Sequence, residues 1–140
     1  MTKVFDASVV VKMLTEEPLS ALAASVIAAE EERLAPDFLR FEIASALSKK
    51  ARYAGLPQAM IDRALAALPG VIDELVSAER LISSAMALSI ELRHALYDCL
   101  YLALAEMRDC MVVTADDKFA KVVEASRLSH RLQRLSDHAL

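Results

Sequence analysis

The chain has 140 residues, a common size for one domain, and 56% of them are hydrophobic, so a core can form without disulfide or metal staples. Only 5% are aromatic, and two glycines with four prolines leave few breaks, which points to closely packed helices around a small sheet with short loops. A formal net charge of −4 argues against a broadly basic nucleic-acid binder, and the apolar stretch from Ala95 to Ala105 is too short to span a bilayer and carries Asp98.

Lys3-Val-Phe-Asp6 opens as a short apolar strand ending on an acid, and Val9 to Leu14 reads as the first helical turns. Pro18 suits the first turn of a helix that Leu19 to Glu32 would continue. Arg33 to Pro36 is extended, because the residue before a proline is pushed out of the helical region. Asp37 to Tyr53 has Phe38, Phe41, Ile43, Ala44 and Leu47 at three- and four-residue spacings and is the strongest helix, with Gly55 placed as its terminating glycine. Pro57 starts the next helix, Gln58 to Leu68, which Pro69-Gly70 stops. Val71 to Ala78 is ambiguous between helix and strand, and Arg80 to Ser83 is assigned as a strand by its position.

Ser84 to Leu92 and Ala95 to Arg108 read as helices, and Cys110 to Thr114 as a buried strand. Asp116 or Asp117 caps the helix running to Ser126, and Arg131 to Leu135 is a final edge strand. Strands alternating with helices predict an α/β fold with a mostly parallel sheet of about five strands covered on both faces, in one domain over 1–140. Cys99 and Cys110 have no histidines at ligand spacing and read as buried thiols rather than zinc ligands. The opening MTKVFDASVVVKML carries a central acid and no cleavage-type tail, so a cytoplasmic rather than exported protein is expected.

Four acids fit poorly in a core. Asp98 stands among uncharged neighbours from Ala95 to Ala105, with Leu102 one turn on and His94, one turn back, as its local partner. Buried without a partner it would cost several kcal/mol; as a partly exposed acid near a helix start it would be favoured by the helix dipole. Glu42 shares a face with Phe38, Leu39 and Ala46, with Lys49 and Arg52 too far along for a direct pair; an ordinary exposed acid or an Arg40 pair is the plainer account. Asp6 and Asp116 could each be a helix cap and nothing more.

As a set they carry more. Asp6 and Asp116 fall at the carboxyl ends of predicted parallel strands, where such sheets build their sites. Two like charges about 5 Å apart cost roughly 3 kcal/mol at an effective dielectric of 20. A divalent cation with a taste for oxygen, Mg²⁺ or Mn²⁺, relieves that repulsion and serves phosphate chemistry.

Four blocks in order now resemble the PIN domain, and most of all its VapC group of toxin ribonucleases. They are VFDASVVVKML, APDFLRFEIASALSKKARYAGL, ALYDCLYLALAE and MVVTADDKF, which together span most of the chain. The resemblance implies a three-layer α/β sandwich and names Asp6, Glu42, Asp98 and Asp116 as the acidic quartet holding one or two Mg²⁺ (or Mn²⁺) ions. It implies hydrolysis of RNA phosphodiesters, support of the carboxylates by Ser8 and Thr114, a cognate antitoxin protein as partner, and a homodimer. His94 and His130 have no required role in it, and Asp117 is either a further ligand or a cap. Two other classes compete. A PIN-like binding or scaffold module without cleavage has no use for four crowded acids. A phosphorylation receiver domain wants an aspartate after a central strand, yet none lies between Asp73 and Asp98, and a late lysine, yet none follows Lys121.

Overall fold

The computed structural model describes residues 1–136; residues 137–140, the end of the expected domain, lie outside the described residues. Its strands are β1 (Thr2–Phe5), β2 (Glu32–Pro36), β3 (Glu74–Val76), β4 (Met111–Thr114) and β5 (Leu132–Arg134). Its helices are α1 (Ala7–Leu14), α2 (Ser20–Ala28), α3 (Leu39–Ala54), α4 (Gln58–Val71), α5 (Ala78–Leu92), α6 (Leu96–Met107) and α7 (Asp117–Glu124), with a 3₁₀ turn over Ser129–Arg131.

The strands form one sheet in the order β3-β2-β1-β4-β5, and every pairing is parallel. Central β1 sets Val4 beside Leu34 on one side and Val112 on the other. All three are fully buried, as expected of a parallel sheet flanked by helices. From β1 the order runs out through β2 and β3 one way and through β4 and β5 the other. The crevice at the carboxyl ends of β1 and β4 is therefore the topological switch point.

Helix α6 explains the apolar run Cys99 to Ala105. All seven of these residues are buried, because the helix packs on α5, β1, β2 and β4 at once and has no solvent face along that stretch. Both cysteines are free thiols, and burial pushes the Cys99 thiol up to about 11.

Three boundaries differ from the sequence reading. Arg80 to Ser83 is not a strand but part of α5, whose inner face is Leu81, Ala85 and Leu88 at helical spacing. Its first turn is capped from a distance, since the Asp37 carboxylate accepts from the Ala78 N–H at 2.9 Å. The strand of this region is β3, within the stretch that reads ambiguously. Helix α4 continues through Pro69-Gly70 to Val71. Proline removes one hydrogen bond in the last turn, whereas Ala64, Leu68 and Val71 keep one buried face running to its end. Helix α2 stops at Ala28, and the Glu31 and Glu32 N–H groups turn to the Met1 carbonyl beside β1.

Glu17 ties α1 to α3 by accepting from Lys12 at 3.0 Å and Lys50 at 2.8 Å, with the Thr15 hydroxyl at 2.9 Å. Burial alone would raise this carboxyl, but the bonds from Lys50, Lys12 and Thr15 outweigh it and hold it at about 2, below the ordinary 4.5. The network's contribution is thus complete above pH 4.5 and is lost as pH falls toward 2. Glu17→Gln is expected to melt lower than wild type at pH 7 by about 1 kcal/mol, with the deficit shrinking through that acid window. Equal melting at pH 7 would show the network to be worth nothing.

Candidate active site

All four acids emerge at helix N-termini around the switch point. Asp6 is the N-cap of α1 and Asp116 the N-cap of α7, while Glu42 lies in the first turn of α3 and Asp98 in the first turn of α6. The positive ends of four helix dipoles are therefore turned toward one acidic cluster.

Asp6, 5% exposed, is the deepest. Its Oδ1 accepts from Ser8 Oγ at 2.5 Å and from the Val9 N–H at 3.3 Å, and its Oδ2 accepts a short bond from Thr114 Oγ1. Ser8 Oγ also receives the Ala115 N–H at 2.9 Å, and Thr114 Oγ1 receives the Asp116 N–H at 3.0 Å. Two hydroxyls thus stitch the end of β1 to the end of β4. Ser8 and Thr114 stand where the sequence places them, beside the first and fourth acids. Asp116 closes its own cap by accepting from the Phe119 N–H at 3.1 Å.

The other two acids have partners that sequence spacing alone does not deliver. Glu42 Oε1 accepts from the Tyr101 hydroxyl at 2.5 Å. Tyr101 lies 59 residues away in sequence, and its only local signal is a Tyr one turn after Asp98. Burial, then Glu42, push its phenol far above its ordinary range, so it stays a neutral donor. Asp98 Oδ2 lies 2.6 Å from His94 Nε2. The His94 ring is nearly buried and stacks on Phe119 at 5.3 Å, and its carbonyl is held by Ser89 Oγ at 2.6 Å. This histidine, without an assigned role in the sequence reading, orients a site acid.

The charges disfavour one another. Burial, reinforced by Asp98, pushes Asp6 up to about 7 against the pull of Ser8, Thr114 and Val9. Burial also raises Glu42, with Tyr101 opposing and Asp98 adding to it. Asp98 itself is raised by burial and by Asp116, against His94. Asp98 is therefore the hub that electrostatically links the other three. Among the described residues no Lys or Arg forms an ion pair with any of the four. Asp117 does not share this environment: its carboxylate is taken by Arg134 and by Lys121 at 3.0 Å, which hold it below its usual range.

Uncompensated carboxylate oxygens suit a hard divalent cation. Among the described residues no three Asp, Glu, His or Cys side chains enclose a metal position by themselves. A hard ion such as Mg²⁺ retains several waters and takes one or two carboxylates directly. Glu42 and Asp116 line an open groove of about 810 Å³, together with Ser8 and Lys49. No helix among the described residues is long and apolar enough to cross a membrane.

No curated protein matches the chain. Among solved structures, the crystal structure of PAE2754 from Pyrobaculum aerophilum superposes with a TM-score of 0.72 at 19% identity, covering 99% of this chain and 98% of the other. At that identity the likeness is one of fold. A sequence model of the PIN domain matches residues 3–125, from within β1 to just past α7. By that match, and with its five-stranded parallel sheet, the chain belongs to the PIN domain family, whose members are generally nucleases and typically use divalent metal ions.

Proposed function

We propose that this protein is a divalent-metal-dependent endoribonuclease of the VapC kind, the toxin of a toxin–antitoxin pair working in the cytoplasm. The observation that supports it is the gathering of Asp6, Glu42, Asp98 and Asp116 around the switch point, where among the described residues no Lys or Arg forms an ion pair with any of them. Asp6 and Asp116 are locked by capping bonds and by Ser8 and Thr114, so they meet substrate with little rearrangement. Tyr101 and His94 fix the carboxylates of Glu42 and Asp98. A bound Mg²⁺ or Mn²⁺ would cancel the repulsion and polarise both the attacking water and the phosphate. The protein's own part is to hold these oxygens on one side of the scissile bond. No protein nucleophile is required. The partners in this reading are an RNA substrate, a second copy of the chain, and an antitoxin whose basic group meets the acids.

The test is cleavage of a mixed RNA pool by wild type in Mn²⁺ or in EDTA, paired with growth on expression. Cutting only with metal, and growth arrest relieved by Asp6→Asn, are expected. Cutting that survives chelation would remove the metal mechanism, and equal growth of both strains would remove the toxin role.

A further inference from the structure

Binding RNA is a problem for a chain of net charge −4. Most of its cations are already paired: Lys50 with Glu17, Lys121 with Asp117, Arg127 with Glu91, Arg131 with Asp109 and Arg134 with Glu124. Something other than net charge must hold the strand, and the groove wall offers it.

The chain has only four Phe and three Tyr, and three of these rings form one ladder in that wall. Tyr97 stacks on Phe38 at 4.7 Å with 12° between planes, and Phe41 lies 5.9 Å from Phe38, tilted by 37°. Phe38 is half-buried and anchors the group, whereas Phe41 is 67% and Tyr97 56% exposed. Each exposed ring directly precedes a site acid, Phe41 before Glu42 and Tyr97 before Asp98. Two turns along α3 from Glu42, about 10 Å, Lys49 lines the same groove and has no ion pair among the described residues.

We infer that this groove is a single-stranded RNA track, in which bases beside the scissile phosphate stack on Phe41 and Tyr97 while a more distant phosphate rests on Lys49. The inference rests on the nuclease reading above and adds to it where the strand lies. Stacking on aromatic faces tolerates any base and does not depend on net charge. Anchoring by Phe38 reduces the entropy lost when a base docks. The location also matches the chemistry, since a base stacked beside Glu42 or Asp98 brings its phosphate to the acids.

The experiment is fluorescence anisotropy with a short labelled single-stranded RNA and a strand of the same length carrying abasic sites. Both are titrated in Mg²⁺ with full-length protein carrying Asp6→Asn to stop cleavage. Adding Phe41→Ala or Tyr97→Ala is expected to weaken the base-bearing strand about 10-fold and leave the abasic strand unchanged. Tyr97→Phe should restore affinity. Lys49→Ala should weaken both strands and lower the salt slope by about 0.7. Unchanged binding of the base-bearing strand by both alanine variants would overturn the track. So would ring variants that turn a dimer into a monomer in sedimentation without touching RNA affinity, because the rings would then be covered by a second copy. Metal-dependent cutting of the RNA pool by wild type is read separately, so a failed track leaves the nuclease standing. A parent protein that binds neither strand would also overturn the track.

Discussion

Asp98→Asn is expected to lose at least about 100-fold in cleavage while melting higher than wild type in metal-free buffer. Losing an outer partner of a metal site typically costs 10- to 100-fold, so losing the hub carboxylate sets a larger floor. The stability gain follows from the sign of the perturbation. Burial and Asp116 raise the Asp98 carboxyl despite His94, so its ionised form is worse off folded than unfolded. Asparagine keeps the shape and an oxygen for His94, and it relieves Asp6 and Glu42 of a neighbouring charge. One such pair is worth roughly 3 kcal/mol at a dielectric of 20, and solvent at this partly exposed side chain reduces that to about 1 kcal/mol. In a chain of this size that is about 3 °C in Tm. Asp117→Asn is the control, because Arg134 and Lys121 occupy that carboxylate; its cleavage should stay within about twofold. A lower metal-free Tm for Asp98→Asn, or wild-type activity, would mean that the acids do not act as a crowded set.

A second large effect is expected from pH and metal together. Asp6 ionises near 7 in the folded protein against 3.8 ordinarily. Between those values the folded state holds a proton that the unfolded chain has lost. Metal-free stability therefore falls as pH rises through this window, by up to about 1.4 kcal/mol per unit, and levels off above it. A cation that binds the ionised carboxylate must displace that proton below pH 7, so its affinity weakens up to about tenfold per unit there. Saturating Mn²⁺ at 100 times its Kd adds about 2.7 kcal/mol. Melting curves with Mn²⁺ or EDTA should thus separate widely at pH 8 and by only about a third as much at pH 5.5. The same separation at both values would place the ion away from Asp6.

Strands β1 and β4, and the position of an acid at the end of each, were legible because their signals are local. An apolar run that stops on Asp6, and another that stops just before Asp116, state both the strand and its functional end. What could not be read depended on distant partners. The start of α5 is capped by Asp37, 41 residues earlier, a partner that local spacing does not supply. Pro69-Gly70 is a stop signal that a buried face of α4 overrides. The support of Glu42 by Tyr101 and of Asp6 by Thr114 spans 59 and 108 residues. Ser8 and Thr114 were anticipated through the family resemblance, whereas Tyr101 was not. The pairing of Asp117 with Arg134 depends on where β5 lies, and it separates two adjacent acids that sequence leaves alike. His94 was visible as a neighbour of Asp98, but its orienting role needs the Phe119 ring behind it.

The place of β1 in the sheet bears on the order of events during synthesis. Its residues are made before those of the other strands, yet Val4 pairs with Val112 and Asp6 waits for Thr114. A nascent chain carrying Asp6, Glu42 and even Asp98 has no closed switch point until β4 emerges. The assembled site would therefore arrive late and all at once.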